Sequence, residues 1–399
     1  MHILMIAPEP FFEPRGTPFS EYHRIKALAA LGHTVDLVTY PFGKDVELPG
    51  LQVHRCVRPP LVNGVRIGPS WAKIPLDLAL GATALRRALG TRYDAVHSHE
   101  EGGLIGVVLA TMLGVPHLYD MHSSLPQQLS NFDFSSSKAL VWGMGLIERL
   151  LVRRSRVVIV ICQQLVEVVR AIDPLVPTVL IENAPGAGDP PAPGTSAALR
   201  AAWGIAPEVP VVLYTGTFEA YQGLDLLYAA AARVRARRPD VRFLVVGGQP
   251  AQVEAAKTEA RTLGADGVVV FTGQRPSEEI PQFLDAATVL ASPRSRGTNT
   301  PLKIYQYLRA GRPIVATRLL THTQVLDDQV AVLTEPTPDA YAAGILRAVH
   351  DPAEAVEIGR RARALADTKY SYEAYLERTR HAYAELFGSG AAQVARGVA

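Results

Sequence analysis

Apolar residues along this chain gather in short β-branched runs separated by stretches of helical periodicity. The runs HILMIA (2–7), TVDLVTY (34–40), DAVHSH (94–99), HLYDMH (117–122), VVIVIC (157–162) and TVLIEN (178–183) fall in the first half. VVLYTG (211–216), RFLVVGG (242–248), GVVVFTG (267–273), TVLASP (288–293) and PIVAT (313–317) follow in the second. Near-continuous apolar strands alternating with helices predict α/β architecture, with parallel sheets covered on both faces. Between the halves lies APGAGDPPAPGTS (184–196), whose proline and glycine content marks a linker and a hinge. The pattern therefore predicts two doubly wound domains. Ligands of such sheets sit beyond the carboxyl ends of the strands, so two facing domains would share a cleft.

Composition narrows the class. A chain of 399 residues exceeds what one core usually serves. A net charge of +2 argues against a dedicated nucleic-acid binder. Cys56 and Cys162 are the only cysteines, so neither a disulfide framework nor a zinc motif follows, and a reducing, cytoplasmic setting fits. The run at residues 2–7 is too short for a signal-peptide core and reads as the first strand. Residues 102–118, the longest uncharged run, fall short of a membrane span and divide into a helix and a strand. Peripheral contact with a membrane has two candidates. Arg149, Arg153, Arg154 and Arg156 flank Leu150, Leu151 and Val152, and Arg55, Arg58, Arg66 and Lys73 surround Trp71.

The segment SPRSRGTNTPLKIYQYLRAGRPIVAT (292–317) reads as strand end, glycine loop, helix and second strand. Thr300 is placed to cap the helix, and Pro301 suits its first turn. Gly311 stops it, and Pro313 opens the next strand region. Free N–H groups and the positive dipole end at residues 300–303 would face the space beyond the preceding strand, an anion site of the sort phosphate occupies. Three- and four-residue spacing puts Lys303, Gln306, Tyr307 and Ala310 on one helical face. An ordinary helix with Lys303 in solvent fits the same pattern.

Other residues offer chemistry. After the first strand, PEPFFEPRGTPF (8–19) forms a long loop ending in a Thr17-Pro18 helix start, and Gly16 would let backbone approach a ligand closely. Glu9 and Glu13 are candidates for a base or an acceptor clamp. His122 closes a strand, where its side chain can reach a ligand. His97 and His99 alternate onto one face, and with Glu100, Asp120 and His122 they suggest a metal cluster. No metal-ligand spacing supports it, and no D-x-D pair is present, so no metal or other cofactor is expected.

The segment at 292–317 resembles glycosyltransferase family 4, of GT-B fold. Ser292-Pro293, the run KIYQYLRAG and Gly311-Arg312-Pro313 match its proline–serine loop, helix and glycine-x-proline turn. The resemblance extends over nearly the whole chain. It implies two Rossmann-like domains, at residues 1–183 and 184–369, with the C-terminal helix within 370–388 crossing back to complete the first. It also implies a retaining transfer of a sugar from a UDP- or GDP-sugar to a glycan or lipid-linked acceptor. By resemblance, His122 contacts the donor sugar, and the loop with Gly16 borders the donor phosphates and the acceptor, with Glu13 and Arg15 on the acceptor side; His99 is read on the acceptor rim or in packing. Gly247-Gly248 and Gly273-Gln274-Arg275 fall where the family places loops near the nucleotide base.

Two signature positions depart from the family. Its glycine-arginine and lysine-glycine pairs, whose cations clamp the diphosphate, are replaced by Gly216-Thr217 and Gln222-Gly223. Its two glutamates eight residues apart are replaced by Thr298 and Gln306. Thr217 and Gln222 are neutral donors, weaker toward phosphate than cations. Compensating charge is expected from Arg294, Arg296 or Lys303, and sugar contacts from Asn299 and the backbone of residues 297–300, from Gly297 to Thr300. Gln306 keeps an acceptor for the ribose. Thr321, His322 and Gln324 reach the cleft or cap a helix. The catalytic expectation rests on His122 and Lys303. A donor-binding subunit without catalysis and a sugar-nucleotide epimerase remain open.

Overall fold

The computed structural model describes residues 1–12, 16–60, 62–65, 68, 70–131, 137–182 and 194–388. Glu13, Arg15, Arg66 and all but the last three residues of the expected linker lie outside the described residues. The chain divides into two compact units, Met1–Asn183 with Glu373–Ala399, and Ala184–Tyr372.

In the first unit the order is β1 (His2–Ala7), α1 (Gly16–Ala30), β2 (Thr34–Thr39), β3 (Leu51–Arg55), α2 (Lys73–Gly90) and β4 (Ala95–His99). It continues through α3 (Gly103–Leu113), β5 (His117–Met121), α4 (Leu125–Asn131), α5 (Lys138–Arg154), β6 (Val157–Val160), α6 (Gln163–Ile172) and β7 (Thr178–Leu180). All seven strands are parallel, in the order β3-β2-β1-β4-β5-β6-β7. Buried apolar residues on both faces explain the near-continuous runs. Ile3, Met5 and Leu118 pack with Ile25 and Leu28 of α1 on one side, and Leu4, Ile6 and Val96 with Leu76 and Leu80 of α2 on the other.

The second unit runs α7 (Thr195–Ala202), β8 (Val211–Thr215), α8 (Leu224–Arg237), β9 (Arg242–Val246), α9 (Pro250–Thr262), β10 (Val269–Gly273), α10 (Ile280–Ala286) and β11 (Val289–Ser292). Then come α11 (Lys303–Ala310), β12 (Ile314–Thr317), α12 (Leu320–Thr323), β13 (Val332–Thr334), α13 (Pro338–His350) and α14 (Pro352–Lys369). Its six strands are also parallel, in the order β10-β9-β8-β11-β12-β13. Helices α13 and α14 each start with proline behind a capping side chain, Thr337 accepting from the Ala340 N–H and Asp351 from the Glu354 N–H. The last helix, α15 (Tyr372–Phe387), packs Tyr375, Ala382, Tyr383 and Leu386 into the core of the first unit.

Strands β3 and β13 are absent from the expected runs, and both lie at sheet edges. Edge strands need less apolar sequence, because one side bonds to no neighbour. LQVHR is only partly buried, and VLT is three residues long.

Candidate active site

Each sheet reverses its winding once, between β1 and β4 in the first unit and between β8 and β11 in the second. Chains diverge at such a point, which leaves a crevice at the strand ends. Both candidate clusters lie there.

In the second unit, Gly216 follows β8 and Pro293 follows β11. Gly223 (φ +70°) lets the two loops touch, since a Cβ there would lie 2.1 Å from the Pro293 carbonyl oxygen. Lys303, at the head of α11, is 8% exposed. Its Nζ stands 3.7 Å over the Tyr214 ring and has no hydrogen-bond partner. A Cβ on Gly216 (φ +146°) would sit 3.1 Å from that Nζ, so the ammonium lies against the Gly216 backbone. Burial, followed by repulsion from Arg294, pushes the Lys303 pKa well below its ordinary value. Tyr307, one turn on, accepts from the Thr215 N–H at 2.9 Å and fixes α11 against β8. Gln306 lies half-buried beside that face.

Thr300 does not cap α11 as expected. The helix starts at Lys303, and the Ile304 and Tyr305 N–H groups donate to the Pro301 and Leu302 carbonyls in a tight turn. With those donors satisfied by backbone, the Thr300 hydroxyl is left buried without a hydrogen-bond partner, close in sequence to the unpaired Lys303.

Arg294 donates to the carbonyls of Arg296 at 2.9 Å and Asn299 at 3.1 Å and lies over the Tyr221 ring. Its guanidinium thus braces the loop. Arg296 is exposed. Of the three expected replacement cations, Lys303 is the buried one without a hydrogen bond. Thr217 is exposed, its hydroxyl 3.4 Å from the Gln222 amide and its carbonyl bonded by the Tyr214 hydroxyl at 2.7 Å. Thr321, His322 and Gln324 face the loop. Thr321 donates to the Asn299 carbonyl at 2.6 Å, Gln324 to the Thr298 carbonyl at 2.6 Å, and His322 bonds Ser292 at 2.8 Å. Burial pushes His322 down to about 3, so it serves as a neutral link.

In the first unit, Asp120 at the end of β5 is enclosed. Arg24 donates to it at 3.1 Å, and His97 and His122 approach it at 3.4 and 3.3 Å. Burial alone would raise the Asp120 pKa, but Arg24, His122, His97 and His99 together hold it well below the carboxylate range. Arg24 also donates to the Thr379 hydroxyl at 3.1 Å, and His97 shares a 2.7 Å hydrogen bond with the Tyr383 hydroxyl, so α15 is tied to the cluster. His122 lies 3.1 Å from His99, and burial keeps both imidazoles neutral near pH 7 by lowering their pKa values. His99, expected on an acceptor rim or in packing, is fully buried, its ring stacked on His97 and 3.1 Å from His122. Gly16 heads α1, the helix that carries Arg24, and is exposed.

His97, His99 and Asp120 bring ligand-type atoms within 4.8 Å of one another. The two rings are stacked 17° from parallel, however, so their in-plane lone pairs do not converge, and Arg24 already neutralises Asp120. Asp120 is compensated by Arg24, whereas both carboxylate oxygens of Glu21, 3.8 Å from His99, have no hydrogen-bond partner.

Sequence reasoning missed Glu21 and Arg24, both fully buried on α1. Their phase with Ile25 and Leu28 was the available signal, because charged residues on an apolar face need partners. It weighed Glu100 only as a member of a metal cluster. Glu100 adopts φ +47° directly after β4, and its carboxylate accepts from Ser123 and Gln128. Non-glycine residues in that region are strained, and such strain collects at functional sites.

Two parallel, doubly wound units with polar clusters at both switch points match the GT-B architecture of glycosyltransferases. The sequence agrees: a glycosyl transferase 4-like domain matches residues 22–184, and the group 1 glycosyl transferases match residues 209–351. The chain belongs to glycosyltransferase family 4 of GT-B fold. It is 27% identical over 365 residues to a D-inositol 3-phosphate glycosyltransferase of Acidothermus cellulolyticus, covering 84% of this chain and 78% of that one. Its fold is similar to sucrose-phosphate synthase from Thermosynechococcus elongatus, with a TM-score of 0.79 at 22% identity, covering 97% and 99% of the two chains. It is also similar to the Anabaena protein HepE solved with UDP-glucose, with a TM-score of 0.74 at 19% identity, covering 96% and 99%.

Proposed function

We propose that this chain transfers a sugar from a UDP- or GDP-sugar to a hydroxyl of a glycan or lipid-linked acceptor with retention of configuration, without a metal ion, at the cytoplasmic face of a membrane. The observation that carries the reading is Lys303. A buried ammonium without a hydrogen bond is costly unless an anion completes it. A diphosphate beside Gly216 supplies that anion. The Thr300 hydroxyl adds a neutral donor at the same loop. The UDP-glucose bound by HepE and the inositol phosphate named for the Acidothermus relative support a nucleotide-sugar donor and a polar acceptor.

In the reaction, the bond from the sugar's anomeric carbon to the β-phosphate oxygen breaks, and a bond to the acceptor oxygen forms on the same face. The acceptor proton passes to the departing phosphate oxygen. Lys303 acts where charge develops, on the leaving diphosphate, and its low-dielectric surroundings strengthen that interaction. The tie-down by Thr321, His322 and Gln324 keeps the loop in place before the donor arrives, which lowers the ordering cost of binding. His122 exchanges a hydrogen bond with a donor hydroxyl as a neutral imidazole.

Thermal-shift titration with UDP, GDP and their sugars, without added metal, tests the reading, with product detection for any hit. Stabilisation by one nucleotide series followed by nucleotide release in the presence of acceptor is the expected result. Stabilisation without turnover, even with crude glycolipid acceptors, would leave a donor-binding subunit. No shift with any nucleotide would overturn the donor site itself.

A further inference from the structure

The first unit carries an apolar surface that neither the fold nor the transfer reaction uses. Helices α2, α3 and α5 lie side by side on one face of the seven-stranded sheet, α3 touching both of the others. Each turns a second stripe of apolar residues outward. On α2 the stripe is Ile74, Leu78, Leu85 and Leu89, and on α3 it is Leu104, Val108 and Met112. On α5 it is Trp142, Leu146 and Leu150. Spacings of four and seven put each set on one side of its helix. Leu78 is 73% exposed, Val108 65% and Trp142 67%. Most of the large hydrophobic side chains left exposed among the described residues lie on these three helices. Contiguous apolar patches of this kind mark interaction surfaces.

Charge identifies the occupant. The exposed charged residues of the three helices are Arg86, Lys138, Arg149, Arg153 and Arg154, and none of their exposed positions is acidic. Asp77 of α2 is turned inward onto Tyr40, and Glu148 of α5 accepts from the buried Leu125 N–H. A two-fold contact with a second copy would set this basic face against itself. An anionic lipid surface complements both features, taking aliphatic and indole groups among its acyl chains and guanidinium groups among its phosphates.

We propose that the α2–α3–α5 face docks this protein on an anionic bilayer. The placement refines the first candidate drawn from sequence and takes no support from the second. Leu151 and Val152 are buried, so the arginines of α5 flank Trp142, Leu146 and Leu150 instead. Arg55 and Arg58 are occupied by the carbonyls of Phe42 and Val62, and Lys73 is paired with Glu101. No described helix is long and apolar enough to cross a membrane, so contact here is lateral. The inference does not depend on the transfer reading, because its test contains no donor.

The test is co-sedimentation of the full chain with vesicles of phosphatidylcholine alone and with about a third phosphatidylglycerol, at low and high salt, alongside sedimentation velocity without lipid. Binding is expected on the anionic vesicles only and should weaken with salt. Changing Arg149, Arg153 and Arg154 together to Ala should weaken it roughly a hundredfold. Trp142→Glu with Leu146→Glu should abolish it, whereas Val356→Glu, an exposed apolar position of the second unit, should leave it unchanged. All these positions are exposed, so folding is retained, and circular dichroism verifies it. Failure to bind anionic vesicles, or binding indifferent to the Trp142 and Leu146 changes, would overturn the proposal. So would a dimer that the same changes dissolve.

Discussion

At the end of β5, Asp120 is buried with Arg24, His97 and His122 around it, and Arg24 is held in turn by Thr379 of α15. At the head of α11, Lys303 is also buried, yet its Nζ meets only the Tyr214 ring and the edge of the Gly216 backbone. In the first cluster Asp120 finds its counter-charge in Arg24, so the role of that pair in the free protein is to fix geometry, while Glu21 beside His99 is buried without a hydrogen-bond partner. The second lacks a partner, so the protein carries a desolvation cost that a bound anion would relieve. Buried charge alone does not mark a ligand site. A buried cation with no partner, set against a glycine loop at a sheet's switch point, does.

This contrast has a sign that mutation can reverse. Arg24→Met should destabilise the fold by about 3–5 kcal/mol in urea unfolding, because it strands Asp120 as a buried unpaired carboxylate. Adding Asp120→Leu to that variant should recover most of the loss. If Arg24→Met costs nothing, the cluster of the first unit is no more self-contained than that of the second.

Acid sharpens the same contrast. Burial pushes His117 and His322 down to about 3, against 6.5 for the exposed imidazole. A histidine with a depressed folded pKa binds its proton in the unfolded chain first. Stability is therefore full above pH 6.5 and falls as pH drops from there toward 3, by about 1.4 kcal/mol per pH unit for each such histidine. Urea midpoints between pH 7 and 4 measure this, and His322→Gln should flatten the slope. Lys303 works in the other direction on binding. A diphosphate favours the charged ammonium, so UDP should bind with net proton uptake, and its affinity should fall with rising pH from well below 10.5. Calorimetry in buffers of different ionisation enthalpy reads the uptake, and in Lys303→Met it should vanish.

The smallest effect concerns the braces. Thr321→Val and Gln324→Ala each remove one hydrogen bond to a loop carbonyl, at 2.6 Å in both cases. Each should cost about 1 kcal/mol of stability and weaken UDP binding by roughly tenfold or less, through a looser loop. Loss of stability with unchanged UDP affinity would mean that the loop is organised without them.

How far the sequence carried depended on how local the interactions are. The anion loop was legible because its glycines, prolines and Lys303 fall within a dozen residues that also build one strand–helix turn. Lys303 itself was visible, but whether it lay in solvent or beneath a loop was not, since Gly216 and Tyr214 come from a strand almost ninety residues earlier. Thr321, His322 and Gln324 could be named but not aimed. Arg24 is the clearest loss, with partners 96 and 355 residues away. Its position on an apolar helical face signalled burial without saying against what.

One measurement bears most directly on the unpaired charge of Lys303: urea unfolding of the wild type and Lys303→Met, each with and without saturating UDP. Without UDP the variant should be more stable by about 1–3 kcal/mol, because a buried amine with no hydrogen-bond partner, its proton held only at a cost, has been replaced by an apolar side chain of similar length. With UDP the wild type should gain stability and the variant should gain little. A variant that is less stable than the wild type without nucleotide and gains as much from UDP would mean that Lys303 is a structural residue, and that the diphosphate, if bound at all, is held elsewhere.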